Sequence, residues 1–216
     1  MKKPTFISSA NFVKVLVIAA AVVSVSAFGY VNSVKIERVE ATTVNDEVIM
    51  NSPDPEKARA AFKDAVKVFF SARCANCHPG GDIPTQGDAM TPHAQGVTRG
   101  KDGKGVYGMQ CATCHQAENL PGEHMPPGVP NWHMPPANQK MVFQGLSEGQ
   151  LCRQLKDPTK NGGRKTAKDA IHHLEEDPLV HWAWEPGNGR TVPPMSYKDF
   201  MAKMNEWVDN GAACPE

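Results

Sequence analysis

Two pentapeptides constrain this chain more than anything else in it: Cys74-Ala75-Asn76-Cys77-His78 and Cys111-Ala112-Thr113-Cys114-His115. Each is Cys-x-x-Cys-His, the pattern that attaches a c-type haem. The order follows from the chemistry. Two thiols one helical turn apart reach the two vinyl groups of a porphyrin and bond to them. The histidine that follows lies under the iron as its proximal ligand. A zinc ribbon also uses two Cys-x-x-Cys pairs, because thiolates are good zinc ligands. It has no need of histidine directly after both, and its pairs usually sit closer together. Paired disulfides are a third reading of such cysteines. The repeated motif sets the expectation of two covalently bound haem c groups, held by Cys74, Cys77, Cys111 and Cys114, with His78 and His115 on the irons.

The rest of the composition fits that expectation. The 23 basic and 23 acidic residues balance, so no strong field is written into the whole, which argues against a nucleic-acid binder. Aromatics are sparse, while there are 18 prolines and 18 glycines. This suits a mainly α, loop-rich fold wrapped round two prosthetic groups that supply much of the buried apolar surface. Poor folding without them is expected.

The N-terminus reads as an address. Lys2 and Lys3 precede an apolar run, Val15 to Val23, and Val25-Ser26-Ala27 has the small-residue pattern of a signal-peptidase site. Residues 1–27 are therefore expected to be a cleaved signal peptide. The alternative is an uncleaved membrane anchor, since the apolar run can be stretched to Val31 and almost spans a bilayer. Both readings place the remainder outside the cytoplasm, where c-type haem is attached and disulfides persist. Residues 28–55 read as a linker and 56–216 as the diheme domain.

Asp54-Pro55-Glu56 is a helix start: Asp caps, Pro tolerates the first turn, and Glu suits the positive end of the dipole. Ala58, Ala61, Phe62, Ala65, Val66, Phe69 and Phe70 then recur at helical spacing, predicting a helix to Ser71 that runs into the first motif. Residues 79–105 read as a loop, with Arg99 to Gly105 a tight charged turn lacking the strand-and-helix frame of a phosphate loop. Val106 to Gln110 is expected to be a short helix. Six prolines between 121 and 136 exclude a helix interior or central strand and suggest a stiff strap over a porphyrin face. Ser147 to Gln150 has the form of a capping box ahead of a helix through Leu151, Cys152 and Leu155, stopped by Asp157-Pro158. Thr166 to Glu175 predicts another helix. A loop follows with Trp182 and Trp184. A last helix starts at Ser196 or Tyr197, with Phe200, Met204, Trp207 and Val208 on its apolar face, and ends at Gly211.

Each iron has a sixth position, which an electron carrier fills with His or Met and an enzyme leaves open. His93 is the first candidate at the first haem, with Met90 the near alternative. Its loop of fifteen steps is long enough to pass round a porphyrin edge at about 3.3 Å per residue. For the second haem the proline-rich stretch offers His133, His124 and Met125, and His173 and Met195 follow further on. Two cysteines, Cys152 and Cys214, lie outside the motifs. In an oxidising compartment they are expected to form a disulfide. Arg153, Lys156, Lys160, Arg164, Lys165 and Lys168 cluster in sequence, as a solvated face or as a docking patch for an acidic redox partner.

The first motif with the helix before it, and the final helix Trp207-Val208-Asp209-Asn210-Gly211-Ala212, resemble class I cytochromes c. More closely, the chain resembles small bacterial diheme cytochromes labelled "isoquinoline 1-oxidoreductase subunit"-like. The stretches that carry this are CHPGGDIPTQGD, PHAQGVTRGKDGKG, the second haem motif, Asn131-Trp132-His133, LCRQLKDPTKNGGR, HHLEEDPLVHWAW and Cys214-Pro215. The resemblance implies a cytochrome c-like fold and a periplasmic electron carrier serving a dehydrogenase or an oxidase. It draws attention to His93, His133 and His173. No molybdopterin-binding signature accompanies it. A diheme peroxidase-type enzyme with one open haem site is the alternative, although two separate haem domains would space the motifs further apart.

Overall fold

The computed structural model describes residues 52–216. The expected signal peptide or anchor and nearly all of the linker lie outside these residues. Among the described residues, no helix is long and apolar enough to cross a membrane.

The first helix, α1 (Pro55–Phe69), begins where the sequence places it. The Asp54 side chain accepts from the backbone N–H groups of Glu56 and Lys57, a cap worth about 1 kcal/mol. The helix does not continue into the first motif. Ser71 is extended and its hydroxyl donates to the Val68 carbonyl, at 2.6 Å. That bond satisfies one terminal carbonyl of α1 and lets a separate short helix, α2 (Ala72–Ala75), start at a new angle.

The long middle of the chain is irregular, with two small antiparallel ribbons. In one, β1 (Thr85–Gln86) pairs with β2 (Thr91–Pro92). In the other, β3 (Gly105–Val106) pairs with β4 (Met109–Gln110), Gly105 opposite Gln110 and Val106 opposite Met109. This hairpin stands where a short helix was expected. Tyr107 and Gly108 form its two-residue turn, and Gly108 takes φ +84°, a conformation that glycine adopts freely and that a helix does not use. A 3-10 turn over Cys111–Thr113 follows directly.

The C-terminal part is helical: α3 (Glu148–Leu155), α4 (Ala167–Glu176), α5 (Pro178–Trp182) and α6 (Tyr197–Asp209). The capping box at α3 is present, with Ser147 and Gln150 bonding reciprocally. A second joins Thr166 and Asp169 at α4. The helix α5 stands where the sequence predicts a loop, yet its start repeats the signal seen at α1. Asp177 caps the Leu179 N–H and Pro178 occupies the first turn.

The core lies where α1 runs along α6. Ala58, Ala61, Phe62, Ala65, Val66 and Phe69 are buried with Leu151, Phe200, Met204 and Trp207. The small residues let the two helices approach, and the aromatics fill the seam. Phe62 meets Trp207 at 5.1 Å, and Phe69 lies edge-on to both Phe143 and Phe200. Each such side chain contributes about 1.5–3 kcal/mol by leaving water. The disulfide Cys152–Cys214 ties α3 to the tail beyond α6. There the tail crosses Gly149, where a Cβ would come within 2.4 Å of the Pro215 carbonyl oxygen.

Candidate functional site

The first motif opens into a cavity of about 380 Å³, within the range of small-molecule and cofactor pockets. Every helix described above contributes to its wall: Phe69 from α1, Cys74 from α2, Leu155 from α3, His173 from α4, Trp182 from α5 and Phe200 from α6. The Nδ1–H of His78 donates to the Met141 carbonyl at 2.7 Å. A carbonyl can only accept, so Nδ1 carries the proton and Nε2 keeps its lone pair. The ring is also stacked on Phe143, with centroids 3.9 Å apart and planes within 8°. Phe143 in turn donates its backbone N–H to the His78 carbonyl. The segment 141–143 therefore fixes both the tautomer and the orientation of His78.

The second motif repeats this scheme with different parts. The Nδ1–H of His115 donates to the Pro127 carbonyl, again at 2.7 Å. Its ring is stacked on Trp132, with centroids 4.4 Å apart and planes within 2°. Cys111 is half-buried and Cys114 exposed. A second hollow, of about 340 Å³, borders His115, Trp132, Asp102 and Lys104. Trp132 meets Trp182 edge-on at 4.9 Å, and Trp182 lines the first cavity. The rings thus run in contact from one motif to the wall of the other site.

The proline-rich stretch joins the two. Pro127 and Trp132 hold His115, while His133, Pro135 and Pro136 line the first cavity. It lies on the glycine-rich turn, where Met134 N–H donates to the Gly103 carbonyl at 2.8 Å and Ala137 N–H to that of Lys101. A Cβ at Gly103 would meet the Met134 carbonyl oxygen at 1.9 Å, so the approach requires glycine. Arg99 is fully buried and donates to the carbonyls of Pro135 and Gly81, with Asp82 beside it. Its role is invisible in sequence, where it reads as one charge of an exposed turn.

The electrostatics suit a neutral ligand set. Burial pushes the His78 pKa down to about 3 against the opposing Met141 hydrogen bond, which keeps the ring uncharged. Burial likewise raises Cys74 to about 12 and Cys77 to about 11. Reactive thiols are normally shifted the other way, so the Cys74–Cys77 pair lacks the features of a dithiol redox centre. After burial, the nearness of Cys111 is the next cause that raises Cys77. Among the described residues, no group of three or more His, Cys, Asp and Glu side chains is arranged to hold a metal ion. The two cysteine pairs do not converge as a zinc ribbon requires. Free cysteine pairs, a histidine offering Nε2 beside each, and a roomy apolar cavity at the first all fit covalently held haem.

The other candidate ligands are distributed unlike the expectation. His93 lines neither cavity; its ring lies 6.2 Å from that of His115. His133 and His173, expected near the second motif, both line the first cavity. His173 stands with Nδ1 3.6 Å from the Asp177 carboxylate. Burial pushes its pKa down to about 4. His124, Met125 and Met90 are exposed and border neither cavity. Met195 packs against the core and accepts from Trp184 through its carbonyl.

Arg164 leaves the basic cluster, lining the first cavity and donating to the Asn161 carbonyl. Arg153 and Lys156 donate to carbonyls of the C-terminal tail. No family model, no curated protein and no solved structure matches this chain.

Proposed function

We propose that this protein is an exported diheme c-type cytochrome that passes electrons between redox partners, as a periplasmic carrier or as the cytochrome subunit of a dehydrogenase or oxidase. The observation that carries the reading is the doubled histidine arrangement. Beside each free cysteine pair, the motif histidine spends Nδ1–H on a backbone carbonyl and rests flat on an aromatic ring, leaving Nε2 for a metal. Cys74, Cys77 and His78 would hold one haem, and Cys111, Cys114 and His115 the other. When bound, each supplies a one-electron iron couple.

The chain's own residues bind, orient and shield. The apolar wall of Phe69, Leu155, Phe200 and Met204 excludes water from the first site. Arg164 and Arg73, the latter paired with Asp88, line it, and guanidinium groups suit the carboxylates of a porphyrin. The membrane anchor and the acidic partner suggested by the sequence belong to the same reading.

Carbon monoxide and peroxide test it. In a carrier both irons have protein ligands on both sides, so the reduced protein takes up carbon monoxide slowly and the oxidised protein does not consume peroxide. Rapid reaction at one haem would favour the peroxidase-type enzyme instead.

A further inference from the structure

We infer that His93 is the sixth ligand of the second haem, opposite His115, so that the loop following the first motif serves the iron of the second. The inference rests on the diheme reading above. It reverses the order that sequence proximity suggests, in which His93 would fold back over its own motif.

Distance is the first support. Metal–imidazole bonds of about 2.0 Å on each side, with each ring centre roughly an ångström behind its ligating nitrogen, space two axial imidazoles about 6 Å apart. The His93 and His115 ring centroids are 6.2 Å apart, with planes at 66°. An edge contact between two rings also falls in this range, so distance alone does not decide.

Satisfaction of polar atoms is the second. The Nδ1 of His93 is buried and has no hydrogen-bond partner, although the Gln95 side chain lies beside the ring. A buried ring nitrogen left unpaired calls for a partner from outside the chain. Across the gap, His115 has given its Nδ1–H to Pro127, which leaves its Nε2 unprotonated. No hydrogen bond joins the two rings directly, so a group that accepts both nitrogens accounts for their facing each other.

Rigidity is the third. The His93 backbone N–H donates to the Pro84 carbonyl at 2.9 Å, and the His93 carbonyl accepts from Gly96 at 2.9 Å. The β1–β2 ribbon immediately before it fixes the approach. Pre-set backbone is what a ligand position needs, because it removes the entropy cost of ordering a loop on the metal.

The first iron does not need His93. His173 and His133 share the cavity of His78. His173 has a carboxylate at its Nδ1 edge, the arrangement that orients a metal-binding imidazole. The sixth ligands thus cross: the first loop serves the second haem, and α4 serves the first.

The test uses the mature holoprotein with His93→Ala, His173→Ala and the double substitution. Covalent haem is counted by intact mass, and spin state is read by electron paramagnetic resonance and magnetic circular dichroism. Each single substitution is expected to convert half of the haem from low-spin to high-spin, with two haems still attached, and the double to convert all of it. Added imidazole should restore the low-spin signal. If His93→Ala leaves both haems low-spin, or if the double substitution converts only half, the assignment is wrong. A second arm removes the second haem with Cys111→Ala and Cys114→Ala. Adding His93→Ala should then leave the remaining spectrum unchanged, and a change would place His93 on the first iron and overturn the inference. An unsubstituted protein without covalent haem would instead overturn the diheme reading beneath it.

Discussion

The two motif sites are built to one local plan and set in opposite surroundings. At both, a histidine gives Nδ1–H to a carbonyl at 2.7 Å and lies flat on an aromatic ring. At the first, six helices and the main core close round the pocket, and the stacking ring, Phe143, is itself core at 3 % exposure. At the second, a 3-10 turn, a hairpin and a proline-rich strap do the holding, and Cys114 faces solvent. The pentapeptide specifies how the histidine is presented. The elements around it decide how dry the site is and how much the fold depends on it. Two sites with the same histidine arrangement can therefore differ in stability and, on the diheme reading, in potential.

The largest expected effect sets the two stacking rings against each other. Phe143→Ala opens a void beside Phe69 and should cost about 3–5 kcal/mol. Trp132→Ala should cost about half as much, because its ring is only part-buried. Denaturant unfolding of the holoprotein measures both, and equal losses would erase the contrast.

The disulfide comes next. Its 62-residue separation corresponds in the chain-entropy model to a stabilisation of about 4 kcal/mol. The paired substitution Cys152→Ser with Cys214→Ser should lower the unfolding midpoint. The first haem's absorption should change before the second's, because α3 lines the first cavity. Simultaneous change would show that the two sites unfold as one.

Arg99→Leu should cost about 2–3 kcal/mol, since it leaves the Gly81 and Pro135 carbonyls without their charged donor. Because the strap serves both sites, this substitution should disturb both spectra, unlike the two before it.

The smallest effect is on potential. Ferric haem carries one more positive charge than ferrous, and burial disfavours charge. The charges at the first cavity are close to balanced, Arg73 by Asp88 and Arg164 by Asp177, so burial decides the direction. The first haem should therefore have the higher potential, by on the order of 60 mV, a tenfold change in a one-electron equilibrium. Spectroelectrochemistry resolves the two, and single-motif variants assign them. A higher potential at the second haem would contradict the burial argument.

What the sequence discloses and what it hides divide along physical lines. The caps at Asp54 and Ser147, the apolar stripes of α1 and α6, and the Cys152–Cys214 bridge depend on local spacing or residue type, and they are read directly. The hairpin at Gly105–Gln110 is short enough that its apolar residues mimic a helical turn, and only Gly108 marks it. Asp177-Pro178 repeats the start signal of α1, but the tryptophans that follow carry no amphipathic period. The burial of Arg99 and the placement of His93 beside His115 are tertiary facts. They depend on how a loop of glycines and prolines folds across two other segments, and no periodicity encodes that.

The central claim is that this chain is organised about two thioether-linked haems. Intact-mass spectrometry of the protein from a host competent in cytochrome c maturation tests it most directly, with peptide mapping to locate the added mass. The account predicts a gain of two haem masses, one on the peptide bearing Cys74 and Cys77 and one on that bearing Cys111 and Cys114, with Cys152 linked to Cys214. A protein carrying no covalent porphyrin, or one whose four motif cysteines are all free to alkylate, would contradict it.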